Sequence, residues 1–254
     1  MPFFKYLDYK FYFDKIVFKD SLFIVVSGSH AYGWNTENSD LDLVRVFYPT
    51  VRQALSVMFR CKNNHFKDKF NNKIVDCTEY PIQNFISLLS KGNGNVLDNL
   101  FQSSNNELCI IRQDKEVKEL QKIVIDELHD GFRKHFLGYD MSLKKDLSNE
   151  SRLEKYGMNK LLLSRYRLLQ EGIILCEHKE VVYNLLKQME YIDTKYCEDL
   201  LNSYIESRKF YRYKNCIVEI EELRQKLESL QLPKYSGLPY CLDTWLIDKY
   251  IAMK

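Results

Sequence analysis

The chain has 254 residues, 45% of them hydrophobic and 28% charged, with a formal net charge of +2. That composition fits one large globular domain or two modest ones, and excludes a disordered chain or a strongly cationic, coat-like nucleic-acid binder. No run approaches the roughly eighteen apolar residues of a membrane span, and no secretory leader opens the sequence. The cysteines at 61, 77, 109, 176, 197, 216 and 241 lack CxxC spacing and read as free thiols of a cytoplasmic protein.

In chain order, residues 21–27 and 41–48 read as strands, and Lys73 to Glu79 as a third. Between the last two, Thr50 caps a helix start over Val51 to Phe59, followed by a polar turn rich in Asn and Lys. Pro81 to Ser90 is helical by period, with Ile82, Phe85, Ile86 and Leu89 on one stripe. Gly92-Asn93-Gly94-Asn95 stops it, and a short helix follows through Val96, Leu97, Leu100 and Phe101.

From about residue 114 period-2 patterning ceases. Lys115 to Leu128, Phe132 to Leu147, Leu153 to Cys176, Glu198 to Lys209 and Cys216 to Leu230 read as amphipathic helices. Pro233 and Ser236-Gly237 then precede a short helix around Thr244 to Ile251. The expectation is an α+β protein with an N-terminal α/β unit over 1–113 and a helical unit over 114–254.

The segment with most chemistry is the first pair of strands. The apolar run Leu22 to Val26 ends in Gly28-Ser29, and the chain returns through Asp40 and Asp42, two positions apart and so on one strand face. Backbone N–H groups of a Gly-Ser turn after a strand converge on phosphate oxygens, Gly28 allows close approach, and Ser29 adds a hydroxyl. Magnesium takes hard oxygen ligands shared with substrate phosphates, and Asp40 with Asp42 suits two ions about 4 Å apart. A third carboxylate is expected from a neighbouring strand. Asp76 and Glu79 are the candidates, with mid-strand Asp76 favoured. Singly, each piece reads as a turn or a solvated strand face; the conjunction points to phosphoryl transfer.

Gly28-Ser29 followed by Ser39-Asp40-Leu41-Asp42 resembles the motif of the DNA polymerase beta nucleotidyltransferase superfamily. The fuller string Gly28-Ser-His-Ala-Tyr-Gly33 resembles one branch, the predicted nucleotidyltransferases associated with RNA repair. Leu88-Leu89-Ser90-Lys91-Gly92-Asn93-Gly94-Asn95, Asp98-Asn99-Leu100-Phe101 and Lys160 to Arg167-Leu168-Leu169 extend the likeness over roughly residues 22–175. Val44-Arg45 stands where that branch has Arg-Gly, and Asn93-Gly94-Asn95 where it has Asn-Pro-Asn.

The resemblance implies a polymerase-beta-like palm, a mixed sheet flanked by helices. It also implies transfer of a nucleoside monophosphate from a triphosphate, ATP or CTP first, with two Mg2+ ions. Gly28 and Ser29 would hold the triphosphate and Asp40 and Asp42 the metals, joined by Asp76 as the third acid. The favoured acceptor is an RNA end, such as that of a tRNA. The alternatives are AMP transfer to a protein or small-molecule hydroxyl, or a silent nucleotide- or RNA-binding module.

His30 follows the phosphate turn and is a candidate phosphate or ribose contact, or a packing residue. Tyr32 reads as packing. Lys91 and Asn93 divide evenly between substrate contact and helix stop. Lys160 and Arg167, seven apart on one helix side, are expected to face the leaving pyrophosphate. Arg208 to Lys214 interleaves four cations with three aromatics, a pattern suited to single-stranded RNA but read first as a helix end with its cations in water.

Overall fold

The computed structural model describes residues 20–56, 61–70, 73–102 and 109–253. Five strands form one mixed sheet in the order β3-β4-β2-β1-β5. They are β1 Ser21–Ser27, β2 Leu41–Phe47, β3 Asn64–Phe70, β4 Lys73–Pro81 and β5 Ile110–Gln113. β1 pairs antiparallel with β2 and β5, and β3 with β4, while β2 and β4 run parallel. Leu22, Phe23, Ile24 and Val25 of β1 are all buried, which explains the continuous apolar run there: both faces of the strand are covered.

The helices on the sheet side are α1 Gly28–Tyr32, α2 Val51–Leu55, α3 Ile82–Leu89 and α4 Gly94–Leu100. Thr50 caps α2 in a reciprocal box with Gln53. The predicted stripe of α3 is the one it buries.

Strands β3 and β5 depart from the sequence reading, which made the first a polar turn and left out the second. β3 is an edge strand with His65, Lys67 and Lys69 exposed. Phe66 packs on the small core of Leu41, Leu43, Val75 and Cys77. An edge strand needs little apolar patterning, because cross-strand backbone pairing supplies its order. β5 has four residues, too few for a period to register.

The remaining helices are α5 Glu116–Asp126, α6 Asp130–Asp146, α7 Glu150–Tyr156, α8 Met158–His178, α9 Leu185–Gln188, α10 Cys197–Ile205, α11 Tyr213–Ser229 and α12 Leu238–Ala252. The helix expected over 153–176 is two, broken at Gly157. α8 is the hub: from Leu161 to Leu175 almost every side chain is buried, Arg165 and Arg167 included. Arg165 Nε meets Asp140 of α6 at 2.6 Å and its Nη2 meets Glu221 of α11 at 2.9 Å. Arg224 closes on the same Asp140 at 2.7 Å.

α12 returns to the sheet side. Gln83 Nε2 donates to Tyr250 Oη at 2.9 Å, and Tyr250 Oη donates to the Pro49 carbonyl at 3.2 Å. One apolar core runs from Leu22 in β1 through Phe85 and Leu169 to Leu242 in α12. Among the described residues no helix is long and apolar enough to cross a membrane.

Candidate active site

β1 ends at Ser27, opposite Asp42 in the β1–β2 register. The chain then turns through Gly28 with φ of 63°. A Cβ on Gly28 would lie 1.9 Å from Asp42 Oδ2. Glycine is therefore required twice over, for the left-handed backbone and for the carboxylate pressed against it. Across the parallel β2–β4 pair Asp42 stands directly opposite Asp76, so the two carboxylates share one face of the sheet. Asp40, just before β2, is exposed. It follows a turn in which Ser39 Oγ accepts from the Thr36 N–H at 2.9 Å.

The electrostatics follow from this crowding. Burial, then the charges of Asp76 and Asp40, push Asp42 up to about 6, against the pull of Lys160 and Lys67. Asp76 moves the other way. Its burial would raise it, but Lys67 Nζ at 2.7 Å and the neighbouring His65 Nε2 hold it below the usual carboxylate range. Both cations come from β3, where Lys67 lies directly across from Asp76.

Among the described residues no three His, Cys, Asp or Glu side chains converge on one point as a ready metal cage. The donor chemistry nonetheless fits a hard divalent cation. Asp40, Asp42 and Asp76 offer only carboxylate oxygens, and their mutual repulsion at Asp42 is what such an ion relieves.

The other predicted residues divide. Glu79, three positions beyond Asp76, lies on the opposite face of β4, where Arg45 Nη1 meets it at 2.7 Å; of the two candidate third acids, only Asp76 shares the Asp42 face. Ser29 is half-exposed and His30 is buried within α1. Lys160 lies at the start of α8, within electrostatic reach of Asp42.

The Lys91–Asn93 turn is a junction. Asn93 caps α4, accepting the Val96 N–H at 3.3 Å. A Cβ on Gly92 would lie 2.4 Å from the Gly131 carbonyl carbon at the start of α6. Lys91 itself is exposed.

Arg167 overturns its expectation. It does not project beside Lys160 but is buried, with Nη1 at 2.9 Å from Asp98 and 2.8 Å from Glu171. Its guanidinium carbon sits 4.0 Å from the centroid of the Tyr32 ring, and Tyr32 packs against Trp34 and Tyr183. Burial, then the Asp98 charge, holds the Glu171 carboxyl well above its ordinary range despite Arg167. One cation thus serves two acids. Asn184 Nδ2 donates to the Ala31 carbonyl at 3.1 Å, so α1, which carries Ser29 and His30, is held at its far end by residues that follow the sheet in sequence.

Sequence reasoning missed His65 and Lys67, because the segment read as a turn. The available signal was the alternation His65, Lys67, Lys69 against Phe66 and Phe70. It also missed that Asp98 and Glu171 are the partners of Arg167, a pairing 69 positions apart in the first case.

The model of the RNA repair pathway DNA polymerase beta family matches residues 16–238. Among solved structures, the chain is similar to the spectinomycin adenyltransferase AAD(9) from Enterococcus faecialis, solved with ATP and spectinomycin. Identity is 15% and the TM-score 0.46, over 87% of this chain and 99% of that one. A nucleotidyltransferase-like protein from Exiguobacterium sibiricum matches with 13% identity and a TM-score of 0.33, over 88% of this chain and 74% of that one. No curated protein matches the sequence.

Proposed function

The chain belongs to the RNA repair pathway DNA polymerase beta family, and from that premise we propose that it is a magnesium-dependent transferase moving a nucleoside monophosphate from a triphosphate to the hydroxyl of an RNA end. The observation that carries this reading is the convergence of Gly28, Asp42 and Asp76: a phosphate-sized turn against two carboxylates in direct cross-strand register.

The Gly28 backbone and the Ser29 hydroxyl orient the triphosphate. Asp40 and Asp42, with Asp76, would hold the two Mg2+ ions, whose charge would offset that of the triphosphate. Asp76 exchanges Lys67 for the acceptor hydroxyl and takes its proton. The hydroxyl oxygen bonds to the α-phosphorus as the bond to pyrophosphate breaks. Lys160 offsets the charge gathering on that leaving group.

The test is incubation with each of the four triphosphates, labelled at the α-phosphate, against total cellular RNA. Label should enter RNA with wild-type protein and magnesium, and not with Asp42→Asn. Undiminished transfer by Asp42→Asn removes the reading.

A further inference from the structure

We infer that the acceptor docks as single-stranded RNA on a belt of lysine–tyrosine pairs at the N-terminal end of α8, an inference that rests on the nucleotidyl-transfer reading above. The starting point is the segment from Arg208 to Lys214. Its aromatics do not all face the core. Phe210 is buried against Tyr213, with ring centroids 5.2 Å apart. Tyr211, however, is 78% exposed, with the Lys209 ammonium 5.1 Å from its ring centroid.

The segment is tied to the start of α8. Tyr213 Oη donates to Asn159 Oδ1 at 2.6 Å, and Asn159 is the neighbour of Lys160, whose charge acts on Asp42. Two further pairs occupy the same corner. Lys155 lies 5.0 Å and Arg152 5.8 Å from the Tyr156 ring centroid, and only Gly157 separates Tyr156 from α8. Lys195 lies 5.6 Å from the Tyr196 ring centroid, and Tyr196 Oη accepts from Asn215 Nδ2 at 3.2 Å. A cavity of about 360 Å³ there is lined by Lys195, Tyr196, Lys214 and Asn215 on one side and by Val218, Glu219 and Glu222 on the other.

Charge decides what this belt fits. Arg208 and Arg212 are already answered by Glu206 and Asp199. Lys155, Lys160, Lys195, Lys209 and Lys214 have no ion pair among the described residues. A row of such lysines fits a chain of phosphates rather than one small acceptor. Exposed Tyr211 offers a stacking face with the Lys209 cation beside it, and the half-buried Tyr156 and Tyr196 carry cations at their rings too, the pairing that receives unstacked bases. A duplex keeps its bases stacked and cannot use those rings, which favours a single strand. A strand lying along the belt would end near Lys160, where its terminal hydroxyl meets Asp76.

The experiment measures fluorescence anisotropy of an end-labelled single-stranded RNA of about twelve nucleotides, within the usual site size for such grooves, with the full chain and no triphosphate. The triple variant Lys209→Ala/Tyr211→Ala/Lys214→Ala should bind at least tenfold more weakly, with a shallower salt dependence and an unchanged melting temperature. A charge control on α5, Lys118→Ala/Lys122→Ala, should bind as the wild type does. Duplex RNA and single-stranded DNA of the same sequence should bind more weakly.

Wild-type-like binding by the triple variant, an equal loss in the control, or transfer to protein without RNA affinity each overturns the inference. RNA binding that depends on the triple site but comes with no transfer, in wild type as in Asp42→Asn, instead supports the docking surface and removes the catalytic reading.

Discussion

Arg167 lies buried between Asp98 and Glu171, whereas Asp42 faces Asp76 and Asp40 with no ion pair of its own among the described residues. Both clusters place acids close together, the first fully buried and the second open to solvent at Asp40. In the first, one guanidinium and the raised pKa of Glu171 bring the charge near balance. In the second, Lys67 and His65 are engaged by Asp76, and Asp42 stays in conflict with its neighbours. A satisfied cluster holds α4 and α8 together. An unsatisfied one is where the proposed Mg2+ ions would relieve the repulsion.

The largest expected effect comes from breaking the satisfied cluster. Arg167→Met leaves Asp98 and Glu171 buried without their cation and should cost about 3–5 kcal/mol of stability, read by urea unfolding. A loss within measurement error would mean the acids are neutral without it.

Asp42→Asn should act with the opposite sign. The folded pKa of about 6 lies above the ordinary 3.8, so the folded chain binds more protons and the wild type loses stability as pH rises from 3.8 through 6. In metal-free buffer at pH 7 the Asn variant should be more stable by up to about 2 kcal/mol, after allowance for solvent screening. The gap should close below about pH 4. A constant difference across that window, followed by thermal melts, would remove the like-charge account.

Gly28→Ala forces both a left-handed alanine and a displaced Asp42 carboxylate. It should cost about 1 kcal/mol in backbone strain while lowering transfer far more than that. Equal transfer by the variant would show that the turn does not set the carboxylate. The smallest effect is expected at Lys67→Gln, which frees the exposed side of Asp76. Half-saturation by magnesium in the transfer assay should fall about two- to fivefold, the range of an exposed ion pair.

What was legible beforehand follows the range of the interactions. β1, the Gly28 turn and the return into β2 are local, set by an apolar run and a period of two within about twenty positions. The stripe of α3 and the Thr50 cap are local too. β3 escaped because an edge strand is held by its partner's backbone and leaves most side chains free to be polar. The break at Gly157 escaped because the amphipathic pattern continues across it.

The sequence by itself determined a Gly-Ser turn closing an apolar strand and two acids two positions apart where the chain returns to the sheet. Only the tertiary structure set Asp76 and Glu79 on different faces, because the parallel register of β2 and β4 places one opposite Asp42 and turns the other toward Arg45. It likewise separated Lys160 from Arg167. A spacing of seven puts two side chains on the same side of a helix, but whether that side meets water or a buried acid depends on what packs there. Those neighbours come from distant parts of the chain.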